Sequence, residues 1–171
     1  MEIKVMEIFQ FAKEKEKYSE DFYRQLAEKT DNKGLKNICK MLADEEVKHY
    51  KIIQSMQNDI IEELNETSVI NESQKIFESM KDSAEKFNFG TSELELYEIA
   101  RDFEQKSKEF YDEKSEEAEN SNHKRIFKKL AAEEQKHYLL MDRICVFVAR
   151  PQWFLENAEM YRFDDYAGGV L

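Results

Sequence analysis

Glycine and proline are scarce in this chain, with four and one respectively among 171 residues, and long apolar runs are missing. A membrane-spanning helix needs about 18 or more predominantly apolar residues in succession, so the sequence predicts no membrane span and no membrane partner. The start, MEIKVMEIFQ, has no basic segment followed by an apolar core, and we expect a cytoplasmic protein. No stretch rich in Gly, Ser or Pro divides the chain, which favours a single domain over residues 1–171.

Cysteine and positive charge are also in short supply. Cys39 and Cys145 each lie in an apolar helical pattern, so we expect two buried free thiols. Two cysteines cannot build a four-cysteine iron or zinc site. The 26 Lys and Arg residues against 37 Asp and Glu residues give a net charge of −11, which repels phosphate backbones. Nucleic acid is therefore not expected as a partner.

Strong helix formers are abundant, and apolar residues recur every three to four positions over four long stretches. This pattern predicts an all-α fold. The first helix is expected from Val5 and the second from Leu35, and the short join between them makes an antiparallel hairpin. Two further helices repeat that arrangement. The halves are expected at about 5–64 and 92–149, which makes a four-helix bundle of two hairpins.

Local signals give sharper expectations at two helix ends. Between Asp31 and Gly34, asparagine and glycine are expected to supply the left-handed backbone of a helix end. Ser92 with Glu95 three positions later predicts a capping box at the start of the third helix. A break at residues 120–122 separates the third helix from the fourth.

Two segments lie outside the hairpins. The periodicity weakens between about residues 65 and 91, which predicts a crossover. A short helix in its middle is expected to carry Ile76, Phe77, Met80, Ala84 and Phe87. Pro151 ends the fourth helix, and residues 150–171 predict a short C-terminal helix that caps one end of the bundle.

Residues 9–50 and 97–138 are copies of each other. Aligned without a gap at an offset of 88 residues, 17 of the 42 pairs are identical. Near-copies of one hexapeptide, EEVKHY ending at Tyr50 and EEQKHY ending at Tyr138, hold two of the three histidines. The identities concentrate at polar positions expected to face inward, whereas a purely structural repeat requires only the apolar ones. The repeat therefore points to a shared site.

Glu16 and its copy Glu104 lie on the inward stripes of their helices. An unpaired carboxylate in an apolar core costs several kcal/mol, so another group must neutralise these charges. Four converging glutamates would be balanced by two divalent cations if the two histidines are neutral.

Residues three apart on a helix share a face, so Glu46 with His49, and Glu134 with His137, can each aim at one point. This matches the ligand set of a bundle-core dinuclear carboxylate site. Spacing alone does not distinguish these glutamates from their neighbours, Glu45 and Glu133.

The motifs resemble the rubrerythrin branch of the ferritin-like di-iron carboxylate proteins, which carry twice a glutamate followed seven residues later by a tyrosine, and then Glu-x-x-His. The resemblance covers roughly residues 9–148 and implies a ferritin-like four-helix bundle. It implies two iron ions, with manganese or zinc possible, bound by Glu16, Glu46, His49, Glu104, Glu134 and His137. It also implies that Tyr23 and Tyr111 hydrogen-bond ligand carboxylates.

The chain departs from that branch at two points. Its members carry a further glutamate one turn after the ligand on the third helix, where this chain has Ser107. They also carry a four-cysteine rubredoxin-like iron site, which two cysteines cannot form. Turnover would therefore need an external electron donor, such as a rubredoxin or a flavoprotein.

Three functions follow, of which the third belongs to a different class. The first is reduction of hydrogen peroxide to water by a di-ferrous site, as the resemblance implies. The second is a ferroxidase or iron-handling protein that uses O₂. The third is a non-catalytic helical interaction protein with a structural metal. By the same resemblance a homodimer is expected. His123 lies at the junction between the third and fourth helices and is expected at the surface.

Overall fold

The structure, a computed structural model, describes residues 2–82 and 87–161. In chain order its helices are α1 (Glu2–Lys29), α2 (Lys33–Gln57), α3 (Val69–Met80), α4 (Thr91–Glu117), α5 (Ser121–Ala149) and α6 (Pro151–Glu156), followed by a 3₁₀ turn (Ala158–Tyr161). No strand occurs in the described ranges, so the predicted all-α fold is confirmed. Among these helices, none combines the length and apolar character needed to cross a membrane.

The bundle consists of two antiparallel hairpins. Helix α1 packs along α2, and α4 packs along α5. Each pair is joined by only three residues, 30–32 and 118–120, which is too short to connect parallel helices. Contacts of α1 with α4 and of α2 with α5 then assemble the predicted four-helix bundle.

The second helix of each hairpin begins at a repeat-related asparagine. The Asn32 side chain accepts a hydrogen bond from the Leu35 N–H at 2.9 Å. Asn120 accepts from the N–H groups of Asn122 and His123 at 2.9 and 3.2 Å. Both side chains satisfy N–H groups that have no partner within the helix, so the repeat extends to the helix caps.

The prediction of a left-handed backbone at residues 31–34 is wrong. Asn32 has a φ of −74°, and no glycine of the described ranges has a positive φ. Gly34 lies in the first turn of α2, where a Cβ atom would sit 2.8 Å from Ile76 Cγ2 and 2.9 Å from Met80 Sδ. Helix α3 packs so closely on the start of α2 that a larger side chain at residue 34 would collide with it.

The prediction of a capping box at Ser92 and Glu95 is also wrong. Helix α4 begins at Thr91 and its N-cap is Gly90, with no side-chain hydrogen bond at the cap. The Gly90 carbonyl accepts from the Glu93 N–H at 3.1 Å. Because the helix starts two residues earlier than a Ser92 cap requires, Ser92 lies inside its first turn.

The crossover contains one helix, as expected, but in a different place. Helix α3 begins at Val69, earlier than the apolar spacing indicated, and ends at Met80. Phe87 follows in non-helical backbone, and Ala84 lies outside the described residues.

The short helix α6 follows the fourth bundle helix. It buries Phe154 against Phe77 and Phe147, with the ring centroids 5.1 and 5.7 Å apart. The short C-terminal helix therefore covers one end of the bundle, as predicted; residues 162–171 lie outside the described part.

A polar layer divides the apolar core in two. One apolar cluster includes Leu35, Leu42 and Leu140, and the other includes Ile53 and Leu130. Along each long helix, the chain passes from one cluster to the other across a buried glutamate, and in α2 and α5 a histidine follows it. The bundle thus places a layer of ionisable groups at its middle.

Candidate metal centre

The six predicted ligands meet in this layer, and all are nearly inaccessible to solvent. Exposure is 2% or less for each of Glu16, Glu46, His49, Glu104, Glu134 and His137. Helices α1 and α4 contribute one glutamate each, whereas α2 and α5 contribute a glutamate and a histidine three residues apart. Three residues are slightly less than one helical turn, so each Glu-His pair projects from one face.

The ligand atoms form two overlapping groups of four. In each group, one atom from every residue lies within 4.8 Å of the others. The groups are Glu16, Glu46, His49 and Glu134, and Glu46, Glu104, Glu134 and His137. Glu46 and Glu134 belong to both, so the two groups are adjacent and share two carboxylates. The His49 and His137 rings are nearly parallel, at 15°, with centroids 5.4 Å apart.

Each histidine presents Nδ1 to carboxylate oxygens. His49 Nδ1 lies 3.2 Å from Glu134 and 3.5 Å from Glu16. His137 Nδ1 lies 3.2 Å from Glu46 and 3.8 Å from Glu104. These separations bring the ring nitrogens and the carboxylates to the same two points in the bundle.

Many of the buried nitrogen and oxygen atoms in this layer have no hydrogen-bond partner. Both ring nitrogens of both histidines lack a hydrogen-bond partner, as do oxygens of Glu16, Glu46 and Glu134. Buried polar atoms without partners are rare because each costs about 1–3 kcal/mol. Lone pairs of nitrogen and oxygen aimed at a common point are what a metal ion requires, so the donor set fits two metal ions.

The carboxylates differ in their proton affinity. Burial, together with the charges of Glu134 and Glu46, raises the pKa of Glu16 and of Glu104 well above the ordinary value. Burial also acts on Glu134, but contacts with His49 and His137 outweigh it and hold its pKa well below the ordinary value.

The histidines hold protons strongly in the absence of metal. Burial by itself lowers the pKa of an imidazole, but the carboxylates of Glu134, Glu16 and Glu46 outweigh it and raise the pKa of His49 well above its usual value. Glu134, Glu46 and Glu104 do the same for His137. A metal ion must therefore displace protons from both imidazoles.

Two tyrosines connect the hairpins through the layer. The Tyr23 hydroxyl on α1 donates to Glu104 on α4, and the Tyr111 hydroxyl on α4 donates to Glu16 on α1. Burial, and then the carboxylate each one contacts, raises the pKa of both phenols well above the ordinary value. The phenols therefore remain protonated and act as hydrogen-bond donors to the carboxylates.

The choice between neighbouring glutamates is made by side-chain direction. Glu45 pairs with Lys48 at 2.5 Å, and Glu133 pairs with Lys136 at 3.0 Å. Glu133 also accepts a hydrogen bond from the Thr67 N–H at 3.0 Å. Neither glutamate belongs to the ligand groups.

Sequence reasoning missed a contact beside the centre. The Lys15 ammonium donates to Ser107 Oγ at 2.6 Å and lies over the rings of Phe103 and Phe110, 5.3 and 5.5 Å from their centroids. Ser107 occupies the position where the resembling branch has its additional glutamate. The gapless alignment could have drawn attention to it, because the repeat-related residue is Ser19.

Other minor expectations have mixed outcomes. Cys39 and Cys145 are buried free thiols, as expected, and burial raises the pKa of each to about 12. His123 is half-buried rather than solvated, because its ring packs edge-on against Phe9 with centroids 5.2 Å apart.

A four-helix bundle that encloses four glutamates and two histidines in this arrangement defines the class of bundle-core dinuclear carboxylate proteins. Comparison with protein families identifies the branch. The rubrerythrin family model matches residues 7–145, more than half of the chain, and the chain belongs to the rubrerythrin family. Comparisons with curated proteins and with solved structures gave no match.

Proposed function

We propose that the protein is a non-haem di-iron oxidoreductase that reduces hydrogen peroxide to water. The observation that carries this proposal is the pair of overlapping four-residue groups, whose buried nitrogen and oxygen atoms have no hydrogen-bond partners. Family membership supports iron, and the donor set suits iron or manganese, with zinc also acceptable. Two ferrous ions would supply the two electrons that, with two protons, convert one hydrogen peroxide molecule into two water molecules.

The residues would divide the work of holding the two ions. Glu46 and Glu134 are common to both groups and would help to hold both ions, whereas Glu16 and Glu104 would each help to hold one. The histidines would each supply one neutral nitrogen. Tyr23 and Tyr111 would fix the orientation of Glu104 and Glu16, as hydrogen-bonded partners of metal ligands do. No side chain is assigned as a general acid.

Electrons must return to the centre after each turnover. The two cysteines of residues 1–171 are buried and cannot form a four-cysteine iron site. We therefore propose a redox partner outside these residues, such as a rubredoxin or a flavoprotein. A cytoplasmic homodimer is part of the same proposal.

Anaerobic titration with Fe²⁺ tests the centre. We expect about two tightly bound ions per chain, and loss of binding in a folded Glu16→Ala, Glu104→Ala variant, since each ion then lacks one of its four ligands. A Glu28→Ala, Glu116→Ala variant is the matched control, because these repeat-related glutamates are exposed. Equal binding in all three proteins would contradict a shared dinuclear site and favour the interaction-protein function.

Rapid mixing of the ferrous protein with oxidants tests the reaction. The peroxidase function requires faster oxidation by hydrogen peroxide than by O₂, with iron retained. Much faster oxidation by O₂, accompanied by iron release, would instead identify a ferroxidase.

A further inference from the structure

A crevice at the seam between α1 and α4 runs from the surface toward the metal centre. It is lined by Tyr18, Ser19, Phe22, Tyr23, Ile99, Ala100, Phe103 and Glu104. Its outer side chains Tyr18 and Ile99 are about half exposed (52% and 50%), whereas Tyr23 and Glu104 at the inner end are 2% exposed. The crevice therefore connects solvent with a predicted ligand carboxylate.

The crevice is narrow. Its volume is ≈ 10 Å³, close to the least space that holds one water molecule. Tyr18 stacks on Phe103 with centroids 4.8 Å apart, so aromatic rings form its outer wall. Small side-chain movements would admit a molecule of two heavy atoms, but a larger reductant or a protein side chain would not fit.

Charge selects further. The inner end faces the carboxylate of Glu104, behind which lie three more carboxylates. An anion would lose its hydration between the aromatic and apolar walls, whereas a neutral molecule could pass along the rings and contact the Ser19 hydroxyl. None of the described hydrogen bonds uses that hydroxyl.

The repeat-related half of the same seam is closed. Residues 15 and 103 correspond in the repeat, and so do 19 and 107. Where one half has Phe103 beside the crevice, the other has Lys15, whose ammonium is bonded to Ser107 Oγ at 2.6 Å and covers two aromatic rings. The lysine fills the position that would otherwise mirror the crevice.

From these contacts we infer that the crevice is the passage by which a neutral two-oxygen oxidant reaches the Glu104 side of the centre, and that Lys15 closes its counterpart at Ser107. The proposal rests on the proposed function for the identity of the oxidant. The passage itself is a property of the fold and can be tested without turnover.

The first test detects dissolved O₂ by NMR in the full chain with Zn²⁺, which is diamagnetic. Ala100 lines the crevice, and its repeat-related residue Ala12 is fully buried in the other half, so their methyl groups form a matched pair. We expect the paramagnetic relaxation enhancement to be larger at Ala100, and to fall in Ser19→Val, which places a methyl group in the crevice. Equal enhancement at the two methyl groups would overturn the passage, whatever the protein does with iron.

The second test measures oxidation of the ferrous protein. Ser19→Val should slow oxidation by H₂O₂ and by O₂ about tenfold, with two ions still bound. Ser19→Ala removes the hydroxyl without filling the space, so its rate should stay closer to the original than the rate of Ser19→Val does. Ser92→Val, at an exposed position of α4 away from the crevice, should keep the original rate. An unchanged rate in Ser19→Val would refute the passage, whereas failure of the unsubstituted chain to bind iron would refute the proposed function and leave the NMR result to decide the passage.

Discussion

Tyr23 and Tyr111 show how single residues join the two hairpins. Each hydroxyl donates to the carboxylate that the other hairpin contributes to the centre, and each phenol is kept protonated by burial and by that carboxylate. A hydrogen bond to a ligand carboxylate limits its rotation and so keeps its free oxygen directed at the metal. The two bonds are related by the repeat, so they should contribute alike.

Removing either hydroxyl should therefore loosen the metal without unfolding the protein. We expect Tyr23→Phe and Tyr111→Phe each to weaken Fe²⁺ or Zn²⁺ binding about 10- to 100-fold, the usual effect of losing such a partner. Competition with a chelator of known affinity measures it. Tyr97→Phe is the control, because Tyr97 is equally buried but its hydroxyl contacts Glu93 outside the ligand groups. A similar loss in the control would show a general packing effect.

At this scale, sequence reasoning identified residue types better than side-chain directions. Helical spacing placed a glutamate near each histidine but could not separate Glu46 from Glu45, because both lie within one turn. Only the resemblance chose between them. In the structure Glu45 pairs with Lys48 and lies outside the two ligand groups. The Lys15–Ser107 bond joins residues 92 positions apart, a distance over which periodicity carries no information.

The spacing of apolar residues predicts a helix well when the helix is long and has one buried face. All four bundle helices were predicted from their apolar stripes, and their order in the sequence fixes the two hairpins. Short segments were predicted less well. Helix α3 begins at Val69, next to the bond from the Thr67 N–H to Glu133. That bond joins residues 66 positions apart, and no local pattern in the sequence relates them.

The crossover should depend on that bond. Glu133→Ala removes the acceptor of the Thr67 N–H as well as the pair with Lys136, whereas the repeat-related Glu45→Ala removes only the pair with Lys48. The two ion pairs are alike, since each joins a buried carboxylate to a more exposed lysine, and their contributions should largely cancel. We therefore expect Glu133→Ala to lower the free energy of unfolding by about 1 kcal/mol more than Glu45→Ala does, because only Glu133 accepts the additional hydrogen bond.

Urea denaturation of the two variants at one metal concentration measures that difference. Glu133→Gln is a further control, because its amide oxygen can still accept from Thr67. Equal destabilisation in Glu133→Ala and Glu45→Ala would show that the bond does not hold the crossover.

For the whole molecule, the centre links folding, metal binding and pH. Folding raises the pKa values of Glu16, Glu104, His49 and His137 above the ordinary 4.5 and 6.5, so the metal-free folded protein keeps protons on these groups to higher pH than the unfolded chain does. A raised pKa means that the folded state binds more protons than the unfolded state, and stability then falls as pH rises. The lowered pKa values of Glu134 and Glu46 act the other way, but only as pH falls below 4.5.

The metal-free protein should therefore lose stability as pH rises from 4.5 through the raised pKa values of these four groups. Two divalent ions replace the protons, and because ligands must be deprotonated to bind, metal affinity increases over the same range. The unfolding temperature with excess Zn²⁺ should accordingly fall less with pH than the unfolding temperature in chelator, or should rise.

Thermal unfolding across this pH range, with and without metal, measures the two slopes. In Glu16→Gln, Glu104→Gln the amides carry no titrating proton, so the negative slope in chelator should shrink, leaving the part due to the histidines. A metal-free protein whose unfolding temperature rises steadily with pH would contradict the protonation pattern. That result would mean that the buried carboxylates are ionised without metal, although two imidazolium groups can offset only two of the four negative charges. The expected result is that the unfolding temperature falls with pH in chelator and that added metal removes this fall. It would show that the metal ions take over from protons in neutralising the buried carboxylates, and so stabilise the fold at neutral pH.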